Sequence, residues 1–189
     1  RLDNLTYTKN ERSDILFILS RIACHLETSI KLTNTVGFQT YWQRDRSMKT
    51  FDIEHVLKSA FDITALPTEH GFVDAKDYAE HRNKIGALAL LPRSRNRSLQ
   101  DQSYTEKLSA YATENILTQS LDASFYTNNP NAIRFLSENP LITISPLPKF
   151  GKDEIAKRAS AYKAVATQVW QKPKPTDKPN DKVATSATS

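Results

Sequence analysis

The 189-residue sequence contains a single cysteine, Cys24. An internal disulfide is therefore excluded, and so is any zinc knuckle or ribbon built from several thiolates. A chain with no disulfide framework suits a reducing compartment, and we expect the cytoplasm. No apolar run approaches the ~20 residues that a bilayer-crossing helix needs, so no membrane span is expected. The sequence starts at Arg1 without an initiator methionine or a signal-type apolar region. On that ground we expect a piece of a longer polypeptide with an upstream partner domain. No internal repeat is present.

What is there has the composition of an ordinary soluble protein, 39% apolar and 25% charged. The length allows one domain with a real core, but hardly two full domains. A net charge of +5 is compatible with a polyanionic partner, although part of it lies in the C-terminal tail.

Helix signals dominate. Thr8 with Glu11 forms a capping-box pattern ahead of Ile15, Leu19, Ile22, Leu26 and Ile30, which share one helical face. Cys24 and His25 fall within that helix with no ligand-type residue one turn away, and are read as packing or surface residues. Ser103 with Glu106 makes a second box, with Tyr104, Leu108, Tyr111 and Asn115 on one side of a helix running towards Leu121. Pro130 suits a helix start. "KDEIAKRASAYKAVATQVW" sets Ile155, Ala159, Tyr162, Ala166 and Val169 on one stripe and leaves Lys157, Arg158 and Lys163 outside. After Trp170 the chain is rich in proline, lysine, serine and threonine, a composition that predicts disorder.

Two short runs read as strands, "FDIEHVL" from Phe51 to Leu57 and "IGALALL" from Ile85 to Leu91. Between them, residues 62–84 carry Pro67, Gly71 and scattered charge without sustained periodicity. We expect a long loop there, of a length that is usually functional in compact domains. Strand alternation puts Phe51, Ile53 and His55 on one face and Asp52 and Glu54 on the other. An acid and an imidazole side by side gain nothing from a core, so the end of the first strand is a candidate site. The plainer alternative is a surface hydrogen bond there, with Asn96 merely capping a turn.

"FDIEHVL" followed by "NKIGALALLPRSRNRSLQDQSYTEKLSAY" resembles the HNH, or ββα-metal, nuclease fold. More closely, it is similar to the C-terminal HNH domain of GmrSD-type, modification-dependent restriction enzymes. The resemblance rests on Glu54-His55, on Gly86-Ala87-Leu88, on Asn96 nine residues after Ala87, and on Tyr104 with Lys107. It implies an α+β, mostly helical fold. An N-terminal helical flank would cover 1–48, the hairpin-helix core 49–121, helices packing on that core 122–170, and a disordered tail 171–189.

It also implies a metal-dependent DNA endonuclease domain, nicking or cleaving, from a bacterial anti-phage restriction system. His55 would be the general base, and Glu54 and Asn96 the ligands of Mg²⁺ or Mn²⁺. DNA would be the partner, together with an N-terminal nucleotide-hydrolysing sensor domain of the same longer chain.

The chemistry fits those residue types. Phosphodiester hydrolysis needs a base for the attacking water and an electrophile to offset charge on the phosphate oxygens. Imidazole supplies the first, and a hard divalent cation on carboxylate and amide oxygens supplies the second. For the groups to converge, strand alternation is expected to fail near Glu54 or His55, and the strand to end there. Arg93, Arg95, Arg97 and Lys58 are candidate phosphate contacts, Arg97 foremost.

Two departures from the family pattern stand out. Ala87 occupies the place of the hairpin asparagine, for which Asn83 is a possible substitute loop tie, and Lys58 replaces a proline. His70 and His81 have no spacing that demands a role. Two alternatives stay open: a catalytically weak DNA-binding or autoinhibitory module that keeps the hairpin, or a ribonuclease of the same fold.

Overall fold

A computed structural model describes residue 2 and residues 5–33, 35–43 and 50–171. The tail expected to be disordered lies, beyond Gln171, outside the described residues. Within them the chain is mostly helical and carries one two-stranded antiparallel sheet, an α+β arrangement.

Helix α1, Arg12–Ile30, buries the predicted stripe of Ile15, Leu19, Ile22, Leu26 and Ile30. The Thr8 hydroxyl accepts from the Glu11 N–H at 3.2 Å, but Glu11 is itself the residue before the first turn and no side chain caps it. The expected capping box thus acts as a turn ahead of a later helix start. After the one-turn helix α2, Phe38–Tyr41, comes strand β1, Phe51–His55. It pairs with strand β2, Leu88–Pro92, from Phe51 opposite Pro92 to His55 opposite Leu88.

The first strand ends at His55, as expected for a site there, and Val56 and Leu57 lie beyond it. The second run opens not as a strand but as a 3-10 turn, Ile85–Ala87. Gly86 explains the turn's position, because it lies directly on the last helix: a Cβ there would sit 2.0 Å from the Ile155 carbonyl oxygen.

The segment expected as a loop contains helix α3, Ala75–Arg82. Tyr78 is its only buried residue, so no apolar stripe announces it. Asp74 starts it by accepting from the Asp77 N–H at 2.8 Å. Helix α4, Arg93–Leu99, follows β2 without an intervening loop.

Ser103 and Glu106 form the predicted capping box at the start of α5, Tyr104–Tyr111. That helix does not continue to Leu121. The Asn115 amide donates to the Leu90 carbonyl at 2.6 Å and its oxygen accepts from the Leu117 N–H, so Asn115 breaks the run and caps α6, Ile116–Gln119. Helices α7, Ala123–Asn128, and α8, Pro130–Glu138, lead to α9, Lys152–Val169. Pro130 opens α8 as expected.

On α9 the buried residues include Ile155, Tyr162 and Val165, but also Arg158, which is 7% exposed instead of facing solvent. Lys157 does face solvent. The core lies where α1, α9 and the hairpin meet, with Leu88, Leu90 and Leu91 of β2 fully buried.

Candidate active site

Why should His55 sit where apolar packing ends? Three elements answer. The extended segment before α1 pairs with the residues after α3: the Tyr7 N–H donates to the Asn83 carbonyl at 2.7 Å and the Ile85 N–H to the Leu5 carbonyl at 3.1 Å. This pairing brings Tyr7 and Asn83 to the end of β1. The Tyr7 ring meets the His55 imidazole edge-on at 4.8 Å. From α3, Arg82 Nε donates to the Leu57 and Lys58 carbonyls at 3.1 and 2.8 Å and so holds the chain as it leaves the strand.

Asn83 fixes the tautomer of His55. Its Nδ2 donates to the Ala79 carbonyl at 3.0 Å, which turns Oδ1 towards His55 Nε2, 3.1 Å away. An amide oxygen can only accept, so Nε2 carries the proton and Nδ1 keeps its lone pair. Burial lowers the His55 pKa to about 4, and the positive charges of Arg82 and Lys107 add to that effect, against the Asn83 hydrogen bond and Asp52. The imidazole is therefore neutral at pH 7 and able to accept a proton.

Glu54 points elsewhere. The β1–β2 register is regular through His55, so the alternation expected to fail does not, and the two side chains leave opposite faces of the strand. The Glu54 side chain is only 2% exposed. Its Oε1 accepts from Lys107 Nζ and from the Tyr111 hydroxyl, both at 2.7 Å. Lys107 donates in addition to the His55 carbonyl at 2.8 Å, joining α5 to the backbone of the histidine itself. Burial pulls the Lys107 pKa below the usual lysine value, and the Glu54 charge works against that fall.

Asn96, on α4, donates from Nδ2 to the Ile53 carbonyl at 2.9 Å, one residue before Glu54. α4 is thereby pinned across β1. Asn83 and His55 are thus brought into contact, and Asn96 meets the backbone of the same strand. Glu54 is committed to α5.

The basic candidates divide. Arg95 pairs with Glu114 at 3.0 Å and Lys58 with Asp62 at 2.8 Å. Arg97 is exposed and takes part in none of the ion pairs among the described residues, while Arg93 is half-buried. Beside Lys58 opens a groove of about 570 Å³ whose walls include Leu57, Asp62, Tyr78, Tyr104 and Phe150.

His70 and His81 turn away from His55. His70 Nδ1 accepts from the Phe72 N–H, and His81 lies between Asp77 and Lys84. Asn83 acts on the histidine rather than on the hairpin loop, where the Val56 N–H already donates to the Ala87 carbonyl at 2.9 Å.

Sequence reasoning missed Tyr7, Arg12 and Arg82. Arg12 Nη2 pairs with Asp52 at 2.5 Å, on the strand that carries His55. None of the three belongs to a motif, and only the pairing of the N-terminal segment with residues 83–85 brings Tyr7 into place. Among the described residues no cluster of three or more histidine, cysteine, aspartate or glutamate side chains could hold a metal. No helix of the described residues is long and apolar enough to cross a membrane.

No curated protein and no solved structure gives a significant match to the chain. A family does match, over residues 2–165: "GmrSD restriction endonucleases, C-terminal domain". That span takes in His55 and its Tyr7 and Asn83 partners, the hairpin, and α9 nearly to its end, so the chain belongs to the GmrSD C-terminal family and is a nuclease domain of the restriction-endonuclease type.

Proposed function

We propose that this domain hydrolyses DNA phosphodiester bonds by an HNH-type mechanism, with β1, β2 and α4 as its ββα unit and His55 as the general base. One observation carries the reading: Asn83 holds the His55 imidazole in one tautomer, and burial keeps it neutral against the pull of that hydrogen bond. A base must be deprotonated and aimed before it can take a proton from water. Nδ1 is the atom that takes it, and the Asn83 oxygen stabilises the imidazolium through the Nε2 proton. Arg97 then contacts substrate phosphate, as an exposed guanidinium close to Asn96 in sequence.

A hard divalent cation would find oxygen donors in Asn96 and Glu54, although the Glu54 carboxylate leaves β1 on the face opposite His55 and is buried against Lys107 and Tyr111. Asn96 spends Nδ2 on Ile53, and both contacts to Glu54 fall on Oε1. The proposed ligands of Mg²⁺ or Mn²⁺ are Asn96 Oδ1 and Glu54 Oε2, a role that requires the Glu54 carboxylate to turn from its buried contacts towards the His55 face. Such a cation offsets charge on the phosphate oxygens.

We further propose that the domain is the cutting module of an anti-phage defence protein whose nucleotide-hydrolysing sensor precedes it in a longer chain. A second reading, a DNA-binding module that cuts weakly, is favoured by the burial of Glu54 against Lys107 and by Ala87 in place of the hairpin asparagine.

Supercoiled plasmid incubated with the purified chain separates the two. Relaxed or linear product that requires Mg²⁺ or Mn²⁺ and disappears with EDTA supports the nuclease. Retarded but intact plasmid supports the binding module. RNA cut in preference to plasmid would replace DNA as substrate.

A further inference from the structure

On the β2 side of the hairpin, the interior holds a guanidinium that has no counter-charge among the described residues. Arg158 is 7% exposed. Its Nη2 donates to the Leu117 carbonyl at 3.1 Å, to the Leu88 carbonyl at 3.3 Å and to the Tyr162 hydroxyl, while Nη1 is buried and has no hydrogen-bond partner. No carboxylate among the described residues compensates it. Glu154, one turn earlier on α9, turns instead to the Gly151 N–H at 2.9 Å and lies 4.0 Å from Lys157. None of the ion pairs among the described residues includes Arg158. The rings of Phe150 and Tyr162 lie 5.8 and 5.2 Å from its Cζ and supply only their π faces.

A buried charge is costly unless it is paired, and a buried donor costs free energy until it finds an acceptor. Arg158 lines a cavity of about 20 Å³ whose walls also carry Ser120, Thr143, Ser145 and Lys157. That volume admits one water-sized body. A halide ion is of that size, accepts several N–H and O–H donors at once and brings the missing negative charge. Thr143 and Ser145 are exposed and give it a route from solvent.

We propose that Arg158 anchors a binding site for one small monovalent inorganic anion of the halide kind, with hydroxyl donors from Ser120, Thr143 or Ser145 and added positive potential from Lys157. The anion acts on the fold. The Leu88 carbonyl, which accepts from Arg158 and from the Tyr162 hydroxyl at 3.1 Å, belongs to the residue opposite His55 in the hairpin. Neutralising Arg158 secures the β2 side of that pair. Neither DNA binding nor cleavage is needed for the site to exist.

Two measurements on the intact chain test this. At fixed ionic strength, replacing sodium gluconate with sodium chloride or bromide should raise the thermal midpoint along a saturable curve. The rise is about 3 °C once the halide exceeds its dissociation constant tenfold. Arg158→Gln should abolish the halide-specific part. Because that variant can fail to fold, crystals of the parental chain grown in bromide provide the second measurement: an anomalous peak within hydrogen-bond distance of Arg158 Nη1 is expected. Equal midpoints in gluconate and chloride, or a cavity that holds only water in the bromide crystals, would overturn the proposal.

Discussion

At the scale of single residues, His55 and Asn83 form a unit. Asn83→Ala removes the acceptor that holds the Nε2 proton, so the imidazole samples the wrong tautomer. The cleavage rate should fall roughly tenfold, the rate equivalent of one hydrogen bond, while DNA affinity stays the same. Asn83→Asp keeps an acceptor, should retain most of the rate, and should move the acid limb of the pH–rate profile upward, since a carboxylate favours imidazolium. Unchanged rates in both variants would remove Asn83 from any positioning role.

Stability should report the same histidine. Its pKa is about 4 in the fold against the 6.5 of an ordinary histidine, so between those pH values the unfolded chain binds more protons than the native one. Stability therefore falls as pH drops from about 6.5 to about 4, by roughly 3 kcal/mol for this group, and this group adds no slope above that window. Urea titrations across the window should show His55→Gln losing that slope. Equal slopes in the two proteins would mean that His55 is not buried and neutral.

At the scale of elements, the buried Lys107–Glu54–Tyr111 cluster ties α5 to β1. Lys107→Met strands the Glu54 charge and the His55 carbonyl and should cost about 3 to 5 kcal/mol in chemical denaturation, with part of the loss recovered in Lys107→Met/Glu54→Leu. A loss below ~1 kcal/mol would show the pair to be solvated.

How far these elements were legible in the sequence depended on whether they announced themselves locally. α1 and α9 carry long apolar stripes, α5 a capping box and α8 its Pro130, and each was found where it was expected. α3 has a single buried residue and no stripe, and Asp74 capping on Asp77 is too local a signal to announce a helix without one. The break after Tyr111 depends on Asn115 reaching the Leu90 carbonyl 25 residues away in sequence, which no window on the helix contains. The site was half visible for the same reason. The acid-histidine pair and Asn96 stand in an ordered motif, whereas Tyr7, Arg12 and Arg82 reach the strand only through tertiary pairing. The charge of Arg158 marks it as an outer-face residue, yet its place on α9 buries it.

At the scale of the whole molecule, a net charge of +5 and the arginines of α4 predict DNA binding that weakens linearly in log–log salt plots. Arg97→Ala should reduce the slope by about 1, whereas Arg95, already paired with Glu114, should change it less. Equal slopes for both variants would place the DNA elsewhere. The central claim is that a neutral His55 removes the proton from the attacking water, and single-turnover cleavage of supercoiled plasmid by the parental chain and by His55→Ala, at saturating Mg²⁺ and equal DNA occupancy, tests it most directly. The predicted result is a variant that folds and binds as before and cuts about 10² to 10⁴-fold more slowly. Cleavage by His55→Ala at the parental rate would contradict the account.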